Sequence, residues 1–287
     1  MAYFHTLAYR RLAHGPGARP GFIWDCLLGG TDHYPDDRIA AQMLRRLVPH
    51  LRREALANRA FRNRAALHLL RRGIRQFLDL GAGVPPCTGS LHRTLLAQAK
   101  GARIAYVDHD AKVVERIRAH LAGTDHTTAL HADLRSPGGV LTSAEVLDLF
   151  DLSKPVAVIT TNVLQALTDG DDPRGVLAAY RTALAPGSAL VLSHPVSADL
   201  GPTQAEGLSR TFRDIGSRFI LRTPDDVTAL LGGFDIIPAH PSGATTAIPV
   251  DRWGTPDRPP VDNPRPGVRL LYGAVGILPG PDERHPR

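Results

Sequence analysis

The apolar positions of this chain change their period once, near Gly73. Before it they recur at three and four. Ile39, Ala40, Met43, Leu44 and Leu47 make one stripe, and Leu56, Ala60, Leu67 and Leu70 suggest a second. That spacing places each set on one face of an amphipathic helix. Pro49 stands between the two, where a proline removes a helical hydrogen bond and crowds the preceding turn. Residues 21–72 are therefore expected to be mostly helical. A loose arm is expected over the first 20 residues, which are rich in Gly, Pro and Arg.

After Gly73 short apolar runs alternate with helical stretches. Strands are predicted over 76–80, 103–108, 128–132, 156–160, 189–193, 234–238 and 269–278, with helices over 90–100, 112–121, 173–184, 203–217 and 225–231. Apolar strands separated by helices require a parallel sheet covered on both faces. The expected fold is α/β: a seven-stranded, mostly parallel sheet with helices on both faces and an N-terminal helical cap. The cap takes 1–72 and the sheet domain 73–287. The Pro-rich stretch 240–267 is long for a connection inside a compact domain, so it reads as a lid or mobile loop.

Composition alters this picture little. The 287 residues are 43% hydrophobic and 22% charged, as in ordinary globular proteins. No apolar run approaches the roughly 20 residues that cross a bilayer. Met1–Arg10 lacks a basic leader followed by an apolar stretch, so a cytoplasmic location is expected and no membrane partner. The net charge of +6 raises the question of nucleic acid. The arginines are scattered, however, and the densest stretch, 45–75, is interleaved with apolar residues at helical spacing, which describes a solvated helix face. Cys26 and Cys87 form neither a metal-ligand pattern nor a disulfide framework, and no metal is expected.

Candidate chemistry concentrates in Phe77-Leu-Asp-Leu-Gly-Ala-Gly-Val84. Asp79 lies near the end of a strand, and Gly81, Ala82 and Gly83 open the following turn, where glycines let the backbone approach a ligand. The third glycine of a dinucleotide fingerprint is missing, since Val84-Pro85-Pro86 follows, and the chain has no Tyr-x-x-x-Lys pair. Both absences disfavour a nicotinamide-dependent oxidoreductase. Asp108 ends the second strand, with His109 after it, where an acid can accept hydrogen bonds from two ribose hydroxyls. Asp133, followed by Leu134, comes after the third strand, where a carboxylate can take an adenine amino group. Asp110 is expected to cap a helix.

Together these features resemble the successive motifs of class I S-adenosylmethionine methyltransferases. The resemblance implies S-adenosyl-L-methionine as cofactor. Asp79 and the turn 81–83 would flank its methionine portion, Asp108 would hold its ribose, Asp133 with Leu134 would face its adenine, and His109 is a further cofactor contact. Asn162 and Val163 would line the methyl-transfer side. Three N-terminal stretches narrow the match: Trp24-Asp-Cys-Leu-Leu-Gly-Gly-Thr-Asp-His-Tyr-Pro-Asp-Asp-Arg38, Asn58-Arg-Ala-Phe61, and Gly73-Ile-Arg-Gln-Phe-Leu-Asp79. They are similar to an actinobacterial S-adenosylmethionine methyltransferase family, formerly a domain of unknown function. The Gly29-Gly30 segment is then expected to fold over the cofactor, making Gly29 and Asp32 cofactor contacts and excluding water from the sulfonium.

Methyl transfer from a sulfonium needs alignment and desolvation, and a general base only where the acceptor has a proton to lose. His33 and His194 are the candidates for that base. Amino-directed nucleic-acid methyltransferases carry Pro-Pro and an aromatic after the fourth strand, where this chain reads Thr161-Asn-Val-Leu164. A small-molecule methyl acceptor is the expectation. A non-catalytic S-adenosylmethionine-binding protein of the same fold is the alternative.

Overall fold

The computed structural model describes residues 17–86, 89–239, 242–254 and 269–280. Most of the expected arm, Cys87 and most of the Pro-rich stretch (240–241 and 255–267) lie outside them.

Three helices come first, α1 (Pro20–Leu28), α2 (Pro35–Leu47) and α3 (Leu51–Arg71). Strands β1 (Gln76–Leu80), β2 (Arg103–Asp108), β3 (Thr127–His131), β4 (Val156–Thr161) and β5 (Ala189–Pro195) follow, with helices between them. These are α4 (Leu91–Leu96), α5 (Ala111–Leu121), α6 (Pro137–Leu141), α7 (Ala144–Leu147) and α8 (Pro173–Ala183). The chain continues through α9 (Pro202–Asp214), α10 (Pro224–Ala229), β6 (Asp235–Ile236), β7 (Ile248–Pro249) and β8 (Leu271–Ile277).

The sheet order is β3-β2-β1-β4-β5-β8-β6, with β7 also on β8. Strands β1 to β5 are parallel, and β8 runs antiparallel to β5. The sheet is seven positions wide, as the pattern predicts, because β6 and β7 pair with opposite ends of β8: Asp235 faces Ile277 and Ile248 faces Gly273. The short strand β7 falls inside the Pro-rich stretch. Its Pro249 is tolerated because an edge strand can spare an amide donor. The expected sixth strand shrinks to two residues, and the helix after the glycine turn is four residues shorter than expected at its C-terminal end. Helices α6 and α7 are too short to carry a period and were not predicted.

Side chains alternate across the sheet and build two cores. Phe77, Ile104, Tyr106, Ile159, Val191 and Val275 pack with α1–α5 and α9 on one face. Leu78, Leu80, Val107, Val158, Leu190 and Ala274 pack with α6–α8 and α10 on the other.

The first half of the apolar stripe expected in α3 is displaced, while Leu67 and Leu70 pack on the core as expected. Leu56 is 39% exposed and Ala60 is exposed, while Leu51, Ala55, Phe61, Ala65 and Leu69 are buried. The inward face of this helix also carries Asn58, Arg59 and Arg62, so its hydrophobic signal is interrupted where the helix looks into the molecule. Its far side holds part of the Pro-rich stretch: Arg64 donates to the carbonyls of Trp253 (2.9 Å) and Val250 (2.8 Å). Val250 and Trp253 are thus docked on α3, and residues 242–254 do not line the cavity described below.

The Gly29-Gly30 segment is a packing device. Gly29 ends α1 in the left-handed conformation, with φ 81°, and a Cβ on Gly30 would sit 1.7 Å from Oδ1 of Asp25. Asp25 is 2% exposed and accepts hydrogen bonds from the amides of Asp32 (3.0 Å) and His33 (3.1 Å) and from His33 Nδ1 (2.9 Å). Asp32 in turn meets His120 Nε2 at 2.6 Å, tying the cap to α5.

Candidate active site

The sheet reverses its winding at β1, which has β2 on one side and β4 on the other. A crevice opens at the carboxyl ends of the strands at such a point. Here it becomes a cavity of about 530 Å³, within the range of small-molecule sites. Its floor is the turn Gly81-Ala82-Gly83, and its walls are the loops after β2, β3 and β4. Helices α1 and α3 close it from above through Pro20, Gly21, Trp24, Asn58, Arg59 and Arg62.

The glycine turn is shaped by its neighbours. Gly81 has φ 66°, and a Cβ there would lie 2.0 Å from Cγ2 of Val163. The turn and the β4 loop therefore close on each other only because this position is glycine. Asp108, 7% exposed, braces the turn: one oxygen accepts from the Gly83 amide at 3.0 Å, the other from the Asp110 amide at 3.0 Å. A carboxylate offers about four lone-pair sites, so each oxygen keeps one for a ligand. Burial pushes the Asp108 carboxyl above its ordinary range, opposed by those two amides. Asp110 caps α5 through the Lys112 amide, as expected, and also binds Arg19 Nη1 at 2.7 Å.

Asp79 lies behind the turn at 2% exposure and does not line the cavity. Its Oδ2 is 3.3 Å from Arg62 Nη1. Burial raises its carboxyl to about 6, against the pull of that guanidinium. Asp133 and Leu134 reach the rim, where Arg135 Nη2 grips Asp133 at 2.6 Å. His109 lines the cavity with a largely exposed ring.

Four polar atoms on the cavity-lining residues are buried and unpartnered: Nη2 of Arg59, Nη2 of Arg62, Oδ1 of Asn162 and Oε1 of Gln165. Burying such groups without a partner costs on the order of 1–3 kcal/mol each, so their convergence describes a site that a ligand completes. Burial, with Arg62 beside it, pushes the Arg59 guanidinium down to about 10.

Of the residues singled out from sequence, Gly81, Ala82, Gly83, Asp108, His109, Asp133, Leu134, Asn162 and Val163 meet at this cavity. Gly29, Asp32 and His33 do not line it; they sit in the packing network around Asp25 and Asp32. The cap does cover the crevice, but through other residues. Arg59, Arg62, Asn58, Trp24 and Gln165 were missed, although Asn58 and Arg59 open the Asn-Arg-x-Phe stretch noted above.

His194 is also outside the cavity, fully buried within β5 and engaged at both ring nitrogens. Nε2 lies 2.7 Å from Arg222 Nη1 and Nδ1 lies 2.8 Å from the Pro195 carbonyl. A guanidinium only donates, so Nε2 is the bare nitrogen and Nδ1 carries the proton. Burial, then the charge of Arg222, holds its pKa at about 4 despite the Pro195 hydrogen bond. The base role for which it was a candidate has no free nitrogen to use. Its titration has a readable consequence. The unfolded chain takes up this proton near pH 6.5 and the folded chain only near pH 4. Stability is therefore full above pH 6.5 and declines as pH falls through that window. The expected loss between pH 7.5 and 5 is about 2 kcal/mol from this residue. Urea unfolding at both pH values should show a shallower decline for His194→Gln, and an equal decline contradicts the assignment.

Comparison with known proteins agrees with this geometry. The model of a family described as S-adenosyl methyltransferase matches residues 14–279. The chain belongs to that family. Its cofactor is S-adenosyl-L-methionine. A crystal structure from Thermobifida fusca YX, assigned as a methyltransferase, superposes with a TM-score of 0.82 at 30% identity, covering 93% of this chain and 97% of that one. A DUF574 family protein from Streptomyces avermitilis MA-4680 also gives 0.82, at 31% identity over 91% and 98%. A carboxy-S-adenosyl-L-methionine synthase of Pseudomonas putida (strain W619) is 32% identical over 118 residues, 40% of this chain and 43% of that protein. The match thus spans less than half the length of this curated relative. Among the described residues no helix is long and apolar enough to cross a membrane.

Proposed function

We propose that this S-adenosyl methyltransferase family member is catalytic and moves the methyl group of S-adenosyl-L-methionine to a small-molecule acceptor. The observation that carries the reading is the set of unpartnered polar atoms around the glycine turn, which fits the cofactor's functional groups. Arg59, with Arg62 beside it, has a buried nitrogen to give to the methionyl carboxylate. Asp108 keeps one acceptor site on each oxygen for the two ribose hydroxyls. Asp133 and Leu134 stand at the rim for the adenine. Gly81 and Gly83 let the backbone lie against the methionine portion, and Asp79 supports the turn from behind while balancing Arg62. When bound, the cofactor supplies an electrophilic methyl on a sulfonium. The chain's own part is to orient it, and to keep water away with α1 and α3, which strengthens each charged contact.

The cap favours a small acceptor, because α1 and α3 roof the cavity that a polymer would have to enter. The test is product analysis with cofactor labelled in its methyl group, incubated with the protein and a metabolite extract. The expected result is label in a low-mass product with matching S-adenosylhomocysteine. Label that stays on the cofactor, despite binding, supports a regulatory ligand instead, and label in nucleic acid or protein contradicts the small-molecule reading.

A further inference from the structure

Arginines crowd the corner between α2 and α3 without counter-charge. The side chains of Arg38, Arg45, Arg46, Arg52 and Arg53 are exposed and, among the described residues, form no ion pair or hydrogen bond. Other exposed arginines are paired, as Arg116 is with Asp32, Arg135 with Asp133 and Arg213 with Glu206. The acids of α2 and α3 are Asp36, Asp37 and Glu54, and two of them are turned to backbone amides. Asp37 accepts from Arg19 and Tyr34, and Glu54 from Leu270 and Leu271. Like charges this close repel one another and cost stability until an anion joins them.

Three of these arginines converge on the C-terminal end of α1. Arg52 Nη2 lies 3.4 Å from where a Cβ on Gly29 would sit. Burial and then Asp25 push the Cys26 thiol up, and the charges of Arg38 and Arg45 oppose that shift, so both stand near the same turn. Leu28, in that turn, lines the cavity. Along α3, Arg52, Ala55, Arg59 and Arg62 follow at helical spacing on one stripe. The last three line the cavity, and Arg52 is the next step out of it. At about 1.5 Å per residue, Arg52 stands about 10 Å from Arg59 along the helix axis.

The cofactor does not account for this charge. Its single carboxylate is assigned to Arg59 with Arg62, and its sulfonium and ammonium leave it with a net positive charge, which arginines repel. The surplus therefore addresses a second ligand, and an anionic one.

We propose that Arg38, Arg45 and Arg52 form an anion subsite at the edge of the cavity, which holds a phosphate or carboxylate group of the methyl acceptor while the rest of the acceptor reaches inward past Leu28 and Ala55. This rests on the methyltransferase reading above. Guanidinium groups bind such oxyanions through paired N–H donors, and a cleft rimmed by one sign of charge draws in the opposite sign. The subsite selects small acidic acceptors over neutral ones.

The test has two readouts on the full chain. In the first, inorganic pyrophosphate and succinate are titrated by calorimetry into protein saturated with S-adenosylhomocysteine. At least one is expected to bind saturably, and Arg45→Gln and Arg52→Gln should each weaken it about 10-fold. Both variants should keep S-adenosylhomocysteine within about two-fold of the parent. Arg71→Gln removes the same charge at the far end of α3 and should change neither affinity. In the second readout, a low-mass metabolite extract is split on an anion exchanger, and each fraction is incubated with cofactor labelled in its methyl group. Label is expected in the anionic fraction. Phosphatase treatment that abolishes it identifies a phosphate ester, and label that survives identifies a carboxylate. Absence of saturable anion binding, equal losses in all three variants, or label in the neutral fraction alone overturns the proposal and leaves the cofactor reading intact. Label in no fraction overturns the catalytic reading and the subsite with it, and failure to bind S-adenosylhomocysteine overturns the cofactor reading itself.

Discussion

Alanine at position 108 is expected to weaken S-adenosylhomocysteine binding by at least about 100-fold, as measured by calorimetry. The size of the effect follows from the double duty of this carboxylate. In the proposed complex it would supply two charge-assisted contacts to the ribose, each worth roughly 1.5–3 kcal/mol, and it holds the Gly83 amide that shapes the floor of the cavity. Asp108→Asn separates the two roles. The amide can keep an oxygen on Gly83, so the turn survives, but the charge and one acceptor are lost, and an intermediate weakening is expected. Asp110→Ala is the control: it costs α5 its cap and Arg19 its partner, but it leaves both Asp108 oxygens in place. Equal losses for Asp108→Ala and Asp110→Ala would mean that turn stability, and not ribose recognition, sets the affinity.

The second large effect belongs to Arg59. Its guanidinium is half-buried, has no partner for Nη2, and sits beside a second arginine whose Nη2 is also orphaned. Such an arrangement is costly without an anion and rewarding with one. Arg59→Met should weaken S-adenosylhomocysteine by roughly 10- to 100-fold. It should leave 5′-methylthioadenosine, which lacks the methionyl carboxylate, nearly unaffected. The parent protein is expected to favour S-adenosylhomocysteine over 5′-methylthioadenosine, and the variant should lose that discrimination. A variant that weakens both equally places the effect on the cap's packing, and the carboxylate assignment falls.

The sheet was readable from sequence because its strands are buried on both faces, so each appears as an apolar run of strand length. The glycine turn and Asp108 were readable for a related reason: their positions are fixed relative to strand ends, and strand ends are where the apolar runs stop. The cap resisted the same reading. Helix α3 turns Asn58, Arg59 and Arg62 inward, so its buried face is part polar, and the apolar stripe Leu56, Ala60, Leu67 and Leu70 meets the core only at its last two members. A functional face breaks the pattern that locates ordinary helix faces. Gly29 and Gly30 misled in the opposite direction. Their need for glycine is real, but it comes from Asp25 and the end of α1, contacts between residues close in sequence that no spacing distinguishes from contacts to a ligand. His194 at the end of an apolar strand was a candidate for chemistry, and only the fold shows both its nitrogens taken, Nε2 by Arg222, 28 residues later, and Nδ1 by the Pro195 carbonyl.

The central claim is that this cavity holds S-adenosyl-L-methionine through Asp108 and Arg59. Its most direct test is one set of calorimetric titrations of the full chain with S-adenosylmethionine, S-adenosylhomocysteine and NADH. The account predicts saturable binding of the first two at one site per chain, and no binding of NADH. Saturation by NADH, with no heat from either adenosyl compound, would contradict it.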